Sequence, residues 1–376
     1  MIRFGRPLRT RFLLERGTDF INHGSFGATP RVVLAAAQCW RLRMEANPDR
    51  FLRYELPDAL RAAAGRLAGF LHAQERDVVF VENATSGMNA VLRSLEFRPG
   101  DEILATSHVY NAVRQTILEV CRRTGAKFVE ARIDLPVAGL EDLVSLIRKK
   151  LNRRTKLLVL DHIASPTGLI FPVKRIAALA RARGAKVLID GAHAPGQIDL
   201  DIPSLGVDWY AGNCHKWLYA PKGCGFLWAR RSAQSGIHPP VISHGYGKGF
   251  SAEFDWTGTR DFSAWLSVPD ALDFYRSLGP ARIKAYCHGL AVRKGTEISL
   301  AWQTPCDGPA ALHGSLIAIR LPDRLQRLDP RLLMREWVTR RRVVVPVMPD
   351  GGVLWARISA QVYNDARDYD RLVSIV

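Results

Sequence analysis

The sequence predicts an α/β chain: a three-layer sandwich around a mostly parallel sheet, followed by a smaller C-terminal α/β domain. Three observations carry this. A unit of short apolar strand, polar loop and helix recurs along the first two thirds of the chain, as βα repeats with a parallel sheet require. Each conspicuous polar motif falls just after such a strand, where sites in parallel sheets collect. At 376 residues and 47% hydrophobic, the chain is long and apolar enough to bury a sizeable core and divide in two.

Taken in order, residues 1–20 read as an arm lying across the body of the protein or a partner. Residues 21–260 form the large domain and 261–376 the small one. Asn22 to Pro30 is a turn-rich loop, with Pro30 suited to open the next helix. Arg31 to Met44 has helical periodicity, broken at Asn47-Pro48, and Phe51 to Leu71 reads as a second helix, interrupted near Pro57. The repeated unit then begins. Asp77–Val81 leads into Asn83-Ala84-Thr85-Ser86-Gly87 and a helix through Leu95; Glu102–Ala105 leads into Ser107-His108-Val109-Tyr110 and a helix through Arg123. Leu157–Leu160 leads into Asp161-His162, a Ser165–Gly168 turn and a helix from Val173, and Val187–Ile189 leads into Asp190 and His193. After Trp228 comes a glycine-rich loop, Gly236 to Phe250, and then Gly258-Thr259-Arg260-Asp261. The small domain is expected to hold helices to Glu297, strands at Leu316–Leu321, Val343–Val345 and Val353–Ile358, and a helix over Pro330–Arg340.

Composition narrows the classes. The formal net charge is +17 and the sequence pI about 10.0, but the arginines are spread over helical segments and no nucleic-acid-binding signature accompanies them. No nucleic-acid partner is expected. The first residues lack an unbroken apolar run and no span is long enough to cross a membrane, so a cytoplasmic protein is expected. Six scattered cysteines favour reduced thiols over a disulfide framework, and Cys214, His215 and Cys224 do not match a closed zinc site.

The chemistry centres on Asn213-Cys214-His215-Lys216-Trp217, a short polar turn between strand-like runs, closed by Pro221-Lys222-Gly223-Cys224-Gly225. Asp190 lies 26 residues upstream of Lys216, at the end of a buried strand. A strand-end carboxylate with an imine-forming lysine one unit later is the arrangement pyridoxal phosphate requires: the acid keeps the ring nitrogen protonated, so the ring accepts electrons from a substrate alpha carbon. Ala84, Thr85 and Ser86 open a helix, offering N–H groups, a dipole and two hydroxyls to a phosphate. The plain alternative for them is an N-cap.

With Asn22-His23-Gly24-Ser25-Phe26-Gly27, Asp161 to Pro172 and Arg357-Ile358-Ser359, these motifs make a collinear set over roughly residues 20 to 365. The chain resembles fold-type I pyridoxal phosphate enzymes of the class V aminotransferase superfamily, most of all their isopenicillin N epimerase-like branch. The resemblance implies an imine between Lys216 and the cofactor, and a further phosphate donor in His215. It places His108 stacked over the ring, with Tyr110 in reserve, and His193 at the cofactor's phenolic oxygen, its tautomer fixed by a carboxylate or carbonyl. Asp161 and His162 would support the ring. Arg357 would grip the substrate carboxylate, and Asn22 and His23 would lie at the active-site mouth. Thr259 would reach the phosphate of the other subunit of a homodimer with shared sites.

The expected activity is amino-acid epimerisation by alpha-proton abstraction from a small-molecule amino acid joined to the cofactor. A C–S lyase acting on a cysteine conjugate or sulfoxide and an aminotransferase use the same residues and stay open, and a non-enzymatic cofactor-binding regulator is the alternative of another class. Cysteine desulfurases of this superfamily carry a nucleophilic cysteine shortly before the substrate arginine. Arg324 to Arg357 contains none, which disfavours that chemistry.

Overall fold

The computed structural model describes residues 2–376. Its strands are β1 (Asp19–Phe20), β2 (Val78–Val81), β3 (Glu102–Thr106), β4 (Lys127–Ala131), β5 (Thr155–Asp161), β6 (Lys186–Gly191), β7 (Trp209–Asn213), β8 (Gly225–Ala229), β9 (Leu316–Arg320), β10 (Val343–Val344), β11 (Val347–Asp350) and β12 (Val353–Ser359). Seven form one sheet in the order β2-β8-β7-β6-β5-β3-β4. Only β8 runs against the rest, being antiparallel to both β2 and β7. The mostly parallel sheet is therefore as expected.

Both faces of this sheet are covered, and the strand sequences show why. Side chains alternate across a strand, and in β2 and β5 both alternating sets are apolar. Val78, Phe80, Leu158 and Leu160 enter one core, beneath the helices Leu56–Phe70, Leu140–Lys150 and Val173–Arg181. Val79, Val81, Leu157 and Val159 enter the other, beneath Ala84–Ser94 and Asn111–Thr124. A strand buried on one face only would alternate apolar with polar; these do not, and the result is helix, sheet, helix.

The strand order reverses between β3 and β5. After β3 the chain moves outward to β4, and after β5 it proceeds the other way to β6 and β7. A crevice opens outside the carboxyl ends at such a switch point. The loops carrying Tyr110, Asp161, Asp190 and Lys216 all border it.

The C-terminal part contributes an antiparallel sheet, β11-β12-β9. Val343–Val344, expected in that region, pairs instead in parallel with β1 near the N-terminus. The N-terminal segment lies on the body of its own chain: Gly5 N–H donates to Val362 O at 2.7 Å, and Phe12 is buried against Tyr363 with ring centroids 4.8 Å apart. Two glycines let the two parts meet. Gly27 (φ +71°) comes so close to the Lys216 loop that a Cβ would lie 2.1 Å from His215 O, and Gly168 (φ +102°) packs a turn onto Leu316 of β9. Strand β4, the helix Leu140–Lys150 and strand β11 have no counterpart in the sequence expectations. The two strands are short and partly exposed, whereas the helix has a clear apolar stripe of Leu140, Leu143, Val144 and Ile147, a signal present in the sequence and passed over.

Candidate active site

A cavity of about 280 Å³ sits at the switch point. Its side chains come from strand ends because the strands stop there while their last residues still point along the sheet edge. Lys216 enters from the turn after β7. This turn is pinned by Cys214 N–H to Cys224 O (3.0 Å) and Ala220 N–H to Cys214 O (3.1 Å). Within it Tyr219 adopts φ +66°, a left-handed conformation costly for an aromatic residue and held by its hydroxyl on Gln361 Oε1 at 2.6 Å. Lys216 is consequently only 9% exposed.

The amine lies 3.0 Å from His193 Nε2. His193 Nδ1 is 3.3 Å from the indole nitrogen of Trp217, which can only donate. A neutral His193 therefore carries its proton on Nε2 and donates it, with Lys216 Nζ and Ser165 Oγ (3.3 Å) as its acceptors. An amine that accepts is a free base. Electrostatics agree: burial above all, then Arg357, pushes the Lys216 ammonium down to about 7, and burial drives His193 well below the usual imidazole range. The tautomer is thus fixed by an indole, where a carboxylate or carbonyl was expected.

Asp190, at the end of β6, is 3% exposed and borders the cavity; its Oδ1 accepts from Ala192 N–H at 2.9 Å. Asp161, its register partner on β5, also borders the cavity. His162 does not: it is buried with Nδ1 2.9 Å from Tyr210 Oη, a packing role.

At the helix that opens at Ala84, the N-cap reading holds in part. Asn83 caps it by accepting from Ser86 N–H at 3.0 Å, and Asn213 Oδ1 takes Ala84 N–H at 2.8 Å. Ala84 and Thr85 border the cavity, whereas Ser86 hydrogen-bonds Glu82, which Arg260 also holds. His215 borders the cavity; burial lowers it to about 4, so it is neutral, and with its proton on Nδ1 donated to Cys224 O at 2.8 Å its Nε2 is an acceptor.

Two expectations are changed by the geometry. His108 is buried away from the cavity, with Nε2 3.5 Å from Asp350 Oδ1 of β11, while Tyr110 borders the cavity. In an extended segment the two, being two residues apart, would share one side. Val109 N–H instead closes a turn onto Thr106 O (3.2 Å), so the two-residue alternation is lost. His23 has both ring nitrogens engaged, by Tyr363 Oη at 2.8 Å and Lys216 O at 3.0 Å, so it anchors the lysine loop and has no nitrogen left for a substrate. Thr259, expected to act in trans, is exposed and lines a concavity with Arg53, His244 and Trp256, separate from the Lys216 cavity of its own chain.

Arg357 stands in the middle of β12, 2% exposed. Nη1 donates to Ser165 O, and Nη2 to Ser25 Oγ (3.0 Å) and Asn22 Oδ1 (3.2 Å), while Nε has no partner. Burial lowers it to about 10, so it stays charged at neutral pH. Ser25, Ser165, Asn213 and Trp217 were given no role from sequence. All lie inside or beside the quoted motifs, and for Ser165, Asn213 and Trp217 their position at or just after strand ends was the available signal. Among the described residues no helix is long and apolar enough to cross a membrane.

The sequence profile of the family described as Aminotransferase class-V matches residues 26–338. The isopenicillin N epimerase of Amycolatopsis lactamdurans is 34% identical, over 97% of this chain and 96% of that protein. A protein of Oryza sativa subsp. japonica described as putative L-cysteine desulfhydrase 1 is 33% identical, over 95% of this chain and 82% of its own length. The apo structure of the cysteine desulfurase of Thermococcus onnurineus NA1 superposes with a TM-score of 0.84, covering 100% of this chain and 98% of that one at 20% identity, a likeness of fold.

Proposed function

This chain belongs to the class V aminotransferase family, and from that premise we propose that it is an amino-acid epimerase of the isopenicillin N epimerase kind, working by alpha-proton abstraction with pyridoxal phosphate as cofactor. The residues present fit that group. A buried free amine, a strand-end carboxylate and a neutral imidazole nitrogen border one cavity, and Asp161 Oδ2 there has no partner. Bound there, pyridoxal phosphate supplies an electron sink for the alpha carbon of an amino acid.

The chain's own residues do the rest. Asp190 offers its charge to the ring nitrogen, and Thr85 offers donors to the phosphate; His215 Nε2 would join them only as the imidazolium, since the neutral ring carries its proton on Nδ1. Arg357 orients the substrate carboxylate, its planar guanidinium already seated on Ser25 and Ser165. Lys216 holds or releases a proton at Nζ. One observation carries the reading: the Lys216 amine lies 3.0 Å from a histidine that donates to it, and so is a base at neutral pH. Tyr110, bordering the cavity, is the candidate for returning a proton from the other side.

A C–S lyase is the second reading. It is supported by the 33% identical desulfhydrase relative and by the lack of any cysteine from Arg324 to Arg357, since elimination needs no enzymic thiol. The enzyme would work as a cytoplasmic homodimer, with Thr259 serving the partner's site. Reaction in deuterated solvent separates the readings. An epimerase brings both enantiomers of a substrate to one mixture carrying alpha-deuterium, without stoichiometric keto acid or thiol; pyruvate and a released thiol from a cysteine conjugate would establish the lyase instead.

A further inference from the structure

The cavity floor holds two carboxyl groups. Asp161 and Asp190 end adjacent parallel strands and are register partners, so their Cα atoms lie about 5 Å apart and their side chains leave the sheet on one face. They are 2% and 3% exposed. The groups that face them come from every neighbouring element. The turn after β7 brings Lys216; the loop after β6 brings His193, a neutral ring; the turn after β3 brings Tyr110, whose backbone N–H addresses Asp161; β7 brings the Tyr210 phenol near Asp190, tied to His162. Lys216 is a cation that acts on both carboxyls, and with its ammonium pushed down to about 7 it carries its charge only part of the time at neutral pH.

Two ionised carboxylates side by side, out of water, with less than one positive charge between them, repel. One proton shared by the pair relieves this. The two are differently provided for. Asp190 Oδ1 accepts Ala192 N–H at 2.9 Å; Asp161 is addressed by the backbone of Tyr110 and by its own, but its Oδ2 is buried with no partner. A charged oxygen without a donor is the costlier of the two to keep ionised. The side chain borders the cavity, and in the neutral acid a turn of the carboxyl would bring its O–H to the cavity face.

Resting on the cofactor reading above, we propose that Asp161 is a neutral carboxylic acid at neutral pH and that its carboxyl O–H is the hydrogen-bond donor to the anionic ring oxygen of the bound cofactor, with Asp190 alone carrying the negative charge of the floor. The ring of pyridoxal phosphate has a cationic nitrogen and an anionic oxygen, and a floor of one carboxylate and one neutral donor complements both; two carboxylates would attract one end and repel the other. Burial first, then Asp190, pushes the Asp161 carboxyl well above the usual carboxylate range. Asp190 is also raised by burial, with Ala192 N–H and Lys216 pulling it back. A neutral buried acid donating to an oxyanion is chemically sound wherever an apolar site suppresses ionisation.

Infrared difference spectroscopy tests the protonation, and cofactor affinity tests the role. At neutral pH the cofactor-free protein and the holoprotein should both show a carboxylic-acid carbonyl stretch that Asp161→Asn removes and Asp190→Asn keeps, with its titration in Asp190→Asn moved to lower pH. Asp161→Asn, which still donates, should hold the cofactor within about threefold of wild type, whereas Asp161→Ala should weaken it about tenfold. Absence of the band from wild type, or its loss in Asp190→Asn with retention in Asp161→Asn, overturns the assignment of the proton. The cofactor-free measurement gives that result whether or not the functional reading stands. A band at Asp161 together with unchanged affinity in Asp161→Ala overturns the donor role alone.

Discussion

Two regions each bring a buried cation to the site, Lys216 lining the cavity and Arg357 behind Ser25 and Ser165 of its lining, and the two respond to burial differently. Lys216 comes from a turn at the edge of the seven-stranded sheet, and Arg357 from the middle of a strand in the three-stranded one. Both are almost wholly buried. The lysine is driven to about 7 and presents a free amine; the arginine is lowered only to about 10 and keeps its charge. An ammonium concentrates its charge on one strongly hydrated atom, whereas a guanidinium spreads it over a plane that three oxygens, from Ser165, Ser25 and Asn22, can satisfy. The same desolvation therefore makes a base in one place and a fixed electrostatic anchor in the other.

The largest effect should follow from removing the reactive half of this comparison. Lys216→Ala should abolish the near-visible absorbance of lysine-bound cofactor and any borohydride-trapped adduct, and lower turnover by at least about three powers of ten, since the only amine in covalent reach is gone. A wild-type-like adduct in the variant would move the covalent site elsewhere.

Replacing the anchor by its nominal equivalent should cost less. Arg357→Lys keeps a cation but loses the planar fork, and a buried ammonium on the same oxygens would shed its proton more readily, as Lys216 does. We expect kcat/KM to fall about 30- to 1,000-fold, corresponding to about 2–4 kcal/mol, with a raised KM and cofactor binding retained. Epimerisation, elimination and transamination should suffer alike, because each needs the carboxylate oriented first. Unchanged steady-state kinetics would remove Arg357 from the substrate site.

The sequence made the reactive half legible and the supporting half only in part. Strand ends announce themselves through apolar runs such as Val187–Ile189, so Asp190 and the Lys216 turn could be placed before any contact was visible. Orientation within a turn could not. His108 and Tyr110 were separated by a hydrogen bond, Val109 N–H to Thr106 O, that no residue pattern encodes. The engagement of His23 with Lys216 O and Tyr363 depends on groups 193 and 340 residues away. Long-range partners of this kind follow from the packing of the two parts of the chain, as with Arg357 and Ser165, and periodicity carries no information about them.

The smallest predicted effect concerns Trp217, the residue that sets the hand-off between His193 and Lys216. Its indole N–H occupies His193 Nδ1 and so leaves the imidazole proton on Nε2, facing the amine. An ammonium in that position would point a donor at a donor, which adds to burial in disfavouring the charged lysine. Trp217→Phe keeps an aromatic ring against His23 but removes the N–H. His193 can then carry its proton on Nδ1, turning Nε2 into an acceptor for an ammonium, and the protonated form of Lys216 is stabilised by about one hydrogen bond. The sign follows directly. Cofactor capture by the cofactor-free protein needs the neutral amine, so its rate rises with pH through the lysine pKa. In wild type the midpoint should fall at about 7, and in Trp217→Phe it should move up by about one pH unit. Well above both midpoints the two proteins should capture cofactor at similar rates, while near neutrality the variant should be up to about tenfold slower. A rate lowered equally at every pH would make Trp217 a packing residue only, and coincident midpoints would return the control of Lys216 to burial alone.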